Sequence, residues 1–286
     1  MMKRVVSIQR FENGVDSRVN DAVAVEEPLE IRLRYRDQNR WHTQALSVTM
    51  RTPGHDKELA AGFLFSESLI ESGSDIASIE TSGAESNEVT VELQPNIEVD
   101  WNRLKRNFYT TSSCGVCGKA SLQALEIEER EPLAAVFSTT PEVLESLPRL
   151  LREAQNLFAV TGGLHAAALF SAHGQLQGLY EDVGRHNAAD KLIGHFLLLN
   201  EPAPSSGILA LSGRASFELL QKAWRARIAL VAAVGAPSSL AVDLARRFGI
   251  TLVGFLREGR FNVYSHSERI GRATQKLLSP RVPGVL

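Results

Sequence analysis

The stretch from Ile208 to Phe255 decides the fold. It reads Ile208-Leu209-Ala210-Leu211, then Phe217 to Arg227, Leu230-Val231-Ala232-Ala233-Val234, Ser239 to Phe248, and Thr251-Leu252-Val253-Gly254-Phe255. Short apolar runs alternate with longer segments of helical length, so the order is strand, helix, strand, helix, strand. Strands joined through helices of this length pair in parallel, with the helices laid over the sheet. The fold class is therefore α/β.

Before this series, Asn187 to Leu199 reads as a helix. Ala166 to Phe170 and Leu176 to Tyr180 read as paired strands around Ala172-His173-Gly174, and Pro141 to Phe158 as one amphipathic helix. The first hundred residues are rich in strand signals: Ala22 to Arg36, Gln44 to Arg51, Ile76 to Thr81 and Glu88 to Leu93. Between them, Thr52-Pro53-Gly54-His55-Asp56 is a turn with Asp56 as N-cap, and a helix runs from Lys57 to Ile70. The expected organisation is a strand-rich N-terminal region over 1–100 and an α/β core over 101–286.

The composition is that of an ordinary globular protein: 286 residues, 44% hydrophobic, 22% charged, net charge -2. That balance gives no chain-wide nucleic-acid footprint. The N-terminus lacks the apolar run of a signal peptide, and no stretch approaches a membrane span. The expected location is the cytoplasm, where thiols stay reduced and a structural disulfide is not expected.

Cysteine is used twice, in Ser113-Cys114-Gly115-Val116-Cys117-Gly118-Lys119. Two thiols three residues apart, between glycines and beside a lysine, can face one reactant as thiolates. Four readings stay open on the residues alone. A zinc site would need two more ligands, from histidines or a dimer-related pair. A thioredoxin-like redox pair lacks the usual strand-to-helix context here. Two packing cysteines fit poorly beside Ser and Gly. A nucleophilic carrier would hold sulfur as a persulfide, with Cys114 the more accessible thiol.

Other polar runs sit at element ends. In Tyr180-Glu181-Asp182-Val183-Gly184-Arg185-His186-Asn187-Ala188-Ala189-Asp190-Lys191, His186 shares a helix face with Asp190, and Asn187 with Lys191. The plainer alternative is a capped helix with solvated ion pairs. Thr161-Gly162-Gly163-Leu164-His165 puts a histidine after two glycines. The loops Ser212-Gly213-Arg214-Ala215-Ser216 and Gly235-Ala236-Pro237-Ser238 each join a strand to a helix, where backbone N–H groups can meet phosphate. Ordinary capping by Ser216 and Ser238 is the rival reading. A third loop, Phe255 to Asn262, adds Arg257 and Arg260.

Taken together these segments resemble the FdhD family of sulfur carrier proteins required for formate dehydrogenase activity. The resemblance runs through Met50-Arg51-Thr52-Pro53-Gly54, the Cys114 to Cys117 core, Gly162-Gly163-Leu164-His165, Glu181 to Lys191, Ser212-Gly213-Arg214 and Gly235-Ala236-Pro237-Ser238. It implies a cytidine-deaminase-like three-layer core and a homodimer. It implies that Cys114 and Cys117 accept sulfur from a cysteine desulfurase. The sulfur then passes to the molybdenum cofactor, as bis-molybdopterin guanine dinucleotide, for formate dehydrogenase. The resemblance places the cofactor or a guanine nucleotide at Phe255, Leu256, Arg257, Glu258, Gly259 and Arg260. Ser212, Gly213, Arg214, Ser238, His186 and Asp190 are further binding candidates. No tightly bound metal of its own is expected. Deaminase chemistry is not expected, because His165 is followed by Ala166-Ala167 instead of a His-x-Glu, and the CxxC precedes it. The alternative function is a non-enzymatic chaperone for cofactor and target, with a metal-binding or structural CxxC.

Overall fold

A computed structural model describes residues 1–81, 87–101, 132–133, 137–200 and 205–271. In chain order, β1 (Lys3–Glu12), β2 (Val15–Ala24), β3 (Glu27–Asp37) and β4 (Arg40–Arg51) precede α1 (Asp56–Ser66), β5 (Ile76–Thr81) and β6 (Glu88–Leu93). Then come α2 (Pro141–Ala154), α3 (Asn156–Thr161), β7 (His165–Phe170), β8 (Leu176–Asp182) and α4 (Arg185–Leu198). The last part holds β9 (Ile208–Leu211), α5 (Phe217–Arg225), β10 (Leu230–Ala233), α6 (Ser239–Phe248), β11 (Thr251–Arg257) and β12 (Arg260–Ser265).

The central sheet has the order β12-β11-β10-β9-β7-β8. Strands β9, β10 and β11 are parallel, as their alternation with α5 and α6 requires. The antiparallel β7–β8 hairpin adds to one side and β12 to the other. Both faces are covered. Ala166, Ala168, Phe170, Ile208, Ala210, Leu230 and Ala232 pack with Leu144, Leu147 and Leu151 of α2. Their strand neighbours Ala167, Leu169, Leu209, Leu211, Val231 and Ala233 pack with residues of α4, α5 and α6. The result is three layers, with alternate strand residues serving opposite cores.

A second sheet, β4-β3-β6-β5, buries Leu29, Ile31, Leu33, Val89, Val91 and Leu93. Leu59 and Leu64 of α1 belong to the same apolar cluster as Leu192 of α4 and Leu220 of α5. The core is thus continuous across the N-terminal sheet and the central sheet. Helices α1 and α4 meet through glycines. A Cβ on Gly62 would collide with the Asp190 carbonyl, and one on Gly194 with the Glu58 carbonyl.

Several element boundaries differ from the sequence reading. The strand expected from Ala22 to Arg36 is divided at Val25-Glu26, because Ala24 closes a hairpin with β1 around Asn13-Gly14. Asp56 is the first residue of α1, and His55 occupies the cap position at a φ of 58°. The Asp56 carboxylate instead takes Arg51 Nε and Nη2, both at 3.0 Å. Helix α1 ends at Ser66, short of Ile70, where the Leu69 N–H turns back to the Leu64 carbonyl and Ser68 adopts a φ of 63°. The helix expected from Pro141 to Phe158 is two. The Glu181 carboxylate accepts the N–H groups of Leu157 at 2.9 Å and Phe158 at 2.7 Å, and so begins α3 separately. The loop expected at Phe255 to Asn262 is a hairpin, with β11 running to Arg257 and β12 starting at Arg260.

Candidate functional site

Brought together at the carboxyl ends of β9, β10 and β11 are the loops after each strand, the start of β7 and the head of α4. The loops are bonded to one another. Gly235 N–H donates to Gly213 O at 2.8 Å, Ala215 N–H to Ala236 O at 3.2 Å, Ser238 N–H to Ala215 O at 3.0 Å and Phe255 N–H to Gly235 O at 3.0 Å. Ser212 Oγ accepts the Ala166 N–H at 2.8 Å, tying in β7. Gly235 is required here, because a Cβ would lie 2.9 Å from the Arg214 backbone. The shelf is therefore a continuation of the sheet, fixed by backbone bonds.

Cations gather on this shelf. Gly213 lies against the His165 ring, which starts β7. His165 is held below the ordinary histidine range by burial first, then by Arg185, His186 and Arg214. Arg185 and Arg214 have no carboxylate partner among the described residues, and Arg185 Nε is buried without a hydrogen-bond partner there. His186 is half-exposed, 3.3 Å from Ser216 Oγ and 3.7 Å from Glu218 Oε2 through Nε2. Phe255 is exposed on the shelf at a φ of 51° beside a bulge in β11. Arg257 Nη1 donates to the Val234 carbonyl at 2.6 Å. Such a cluster suits a phosphorylated ligand: positive charge, backbone amides and an apolar ring for stacking.

The sequence candidates divide on this geometry. Helix α4 uses both of its i,i+4 faces. His186 and Asp190 face α5, but only His186 reaches the shelf. Asp190 is buried one turn on, accepting Lys222 Nζ at 2.7 and 2.9 Å and Ser66 Oγ at 2.7 Å. Asn187 and Lys191 face Asp182 and the end of β4. Lys191 Nζ lies 2.7 Å from Asp182 Oδ2 and donates to Thr52 O at 2.8 Å, while Asn187 Nδ2 donates to Met50 O at 2.8 Å. The solvated ion pairs of the plainer reading are buried ones. Leu256 is 1% exposed and packs in the core, so its side chain does not reach the shelf. Ser238 Oγ caps α6 by accepting the Ala241 N–H at 3.2 Å. Ser216 makes no cap bond and turns to His186. Glu258 and Gly259 form the exposed β11–β12 turn with Arg260 after it. Cys114 and Cys117 lie outside the described residues. Glu218 escaped the sequence reading, since its signal lies only in being two residues after Ser216 at a helix start.

A model of the FdhD/NarQ family matches residues 24–271. The chain belongs to the FdhD/NarQ family. Members with curated names agree in length and sequence. The chain is 48% identical over 270 residues to the sulfur carrier protein FdhD of Streptomyces coelicolor, covering 91% of this chain and 93% of that one. It is 44% identical to the protein of the same name from Sulfurisphaera tokodaii, covering 94% and 100%. A crystal structure described as that of a formate dehydrogenase accessory protein from Desulfotalea psychrophila superposes with a TM-score of 0.74 at 27% identity, over 95% of this chain. Among the described residues no helix is long and apolar enough to cross a membrane.

Proposed function

We propose that this FdhD/NarQ chain is a sulfur carrier and sulfurtransferase. It takes sulfur from a cysteine desulfurase on its CxxC and passes it to a molybdenum cofactor destined for formate dehydrogenase. The observation that carries the reading is the likeness, over more than nine-tenths of the chain, to proteins named sulfur carrier protein. The strand-end shelf supports the second half, since Arg185, Arg214, His186 and Phe255 suit the pyrophosphate and base of a guanine dinucleotide.

The Cys114 thiolate attacks the outer sulfur of the desulfurase persulfide. A new S–S bond forms on Cys114, the old one breaks, and the desulfurase cysteine leaves as thiolate without net oxidation. Release of that sulfur as sulfide takes two electrons, which Cys117 supplies by attacking the Cys114 sulfur. A Cys114–Cys117 disulfide forms, the persulfide bond breaks, and sulfide goes to the metal. A dithiol reductant restores the thiols. In this reading two copies of the chain work as a homodimer in the cytoplasm.

The test is incubation with a cysteine desulfurase and cysteine, followed by intact-mass measurement. Wild type and Cys117→Ala are expected to gain one sulfur, and Cys114→Ala none. Full formate dehydrogenase activity with a Cys114→Ala, Cys117→Ala double variant as the sole copy would end the carrier reading.

A further inference from the structure

Asn13-Gly14 is the tip of the β1–β2 hairpin, and Asn13 is the only asparagine in the chain that a glycine follows. Both residues are exposed, at φ of 52° and 80°. A Cβ on Gly14 would meet no atom within 4 Å, so nothing crowds its backbone. Among the described residues no hydrogen bond holds the Asn13 side chain. Glu12 and Val15 pair across the turn. In such a two-residue turn the N–H that closes the loop belongs to Val15, and the Gly14 nitrogen stays outside the ladder.

We propose that Asn13 is a site of spontaneous covalent modification: its side-chain amide cyclises onto the Gly14 nitrogen, and the isoaspartyl residue that results unpairs β1 from β2 while the rest of the fold stands.

The Gly14 nitrogen attacks Asn13 Cγ and a new C–N bond forms. The Cγ–Nδ2 bond breaks, and Nδ2 leaves as ammonia with the Gly14 proton. Water then opens the five-membered imide at either carbonyl. Breaking the new bond leaves aspartate at 13. Breaking the original peptide bond leaves isoaspartate, in which the main chain runs through the side-chain carbons. No atom changes oxidation state, and water is the one co-reactant.

A second turn shows why Asn13 is singled out. Strands β3 and β4 turn at Gln38-Asn39, equally exposed, with φ of 45° and 62°. There Asn39 precedes Arg40, which pairs with Asp37 and whose nitrogen closes the turn. The attacking atom is thus engaged, and its residue carries a side chain. Asn187 is buried, with its amide donating to Met50 O and Asp182 Oδ1.

The consequence follows from how little holds the hairpin. Loop length fixes hairpin register, so an added main-chain carbon spoils the Glu12 to Val15 pairing. It also sets a new carboxylate between Glu12 and Asp16. A two-stranded ribbon is marginal in water by itself, and here Phe11 and Val15 are exposed at its tip. Opening runs from the tip toward the base, where Val25 N–H bonds Met2 O. The two main sheets share no strand with the hairpin.

The experiment incubates the full-length chain for weeks at neutral pH and physiological temperature. Peptide mapping by mass spectrometry, with electron-transfer fragmentation, separates isoaspartyl from aspartyl. Peptides holding Asn13 are expected to exchange amine for hydroxyl several-fold faster than those holding Asn39, with isoaspartate the larger product. Asn13→Ser should remove the isoaspartyl methyltransferase labelling of the aged chain. In hydrogen exchange, the isoaspartyl fraction resolved by anion exchange should lose protection at Ser7 to Phe11 and Asp16 to Asn20, with β3 and β9 unchanged. Fresh Asn13→Asp, which has the charge without the added carbon, should keep it. Conversion of Asn13 no faster than that of Asn39 overturns the proposal. So does an isoaspartyl chain whose hairpin stays protected, or equal loss of protection in Asn13→Asp.

Discussion

Asp182 Oδ2 and Lys191 Nζ lie 2.7 Å apart with 0% and 1% of their side chains exposed. Two charges removed from water pay a desolvation penalty that further hydrogen bonds to both partners help to offset. Here Gly184 N–H, Thr52 N–H and Asn187 Nδ2 all donate to Asp182, and Lys191 donates to Thr52 O as well as to Asp182. Removing one member strands the other, so Asp182→Asn should cost about 3–5 kcal/mol in urea unfolding. A loss under about 1 kcal/mol would show that the pair is solvated. The residue types and their spacing were readable in the Glu181 to Lys191 run. Whether they served a ligand or the fold was not, because burial is set by β4 and α5, far away in sequence. The same holds for Asp190, a site candidate by spacing and an internal partner of Lys222 in the fold.

Helix α1 shows how an element is limited by its neighbour. Six of its residues from Leu59 to Phe65 are buried, so it has no apolar stripe of its own. Gly62 and Gly194 let its backbone touch that of α4. Gly62→Ala must push two helices apart and should destabilise by about 1–3 kcal/mol, read as a lowered urea midpoint; an unchanged midpoint would mean that the helices give way without cost. Elements with local signals were legible: β5 and β6 match the expected spans residue for residue, and the β9 to β11 series holds its order. Two hairpins had local signals that went unread. Asn13-Gly14, with φ of 52° and 80°, suits a two-residue turn between alternating strands, and Glu258-Gly259 turns β11 into β12. The division of α2 from α3 had none, since it depends on Glu181 arriving from β8.

At the scale of the molecule, the family match begins at residue 24, where β2 ends. The β1–β2 hairpin before it is mostly exposed, with Phe11 at 74% and Val15 at 69%. It is held at its base by the Val25 N–H on Met2 O and by Met2 against Gly54, and β2 also lies against α3. A chain starting at Val25 should therefore keep its thermal midpoint within about 4 °C of the full-length protein by calorimetry. A larger drop would make the hairpin part of the cooperative core.

By itself the sequence determined the α/β class, the parallel series and the family, because alternation of apolar runs and fixed glycine, cysteine and histidine spacings are local properties. Only the tertiary structure decided which polar residues face the shelf and which lock the fold. Arg185, His186 and Arg214 gather at the strand ends, and Asp182, Asp190 and Lys191 are paired in the interior beside them. The reason is physical: a charge's role depends on what surrounds it, and its surroundings come from segments as distant as β4, α1 and α5.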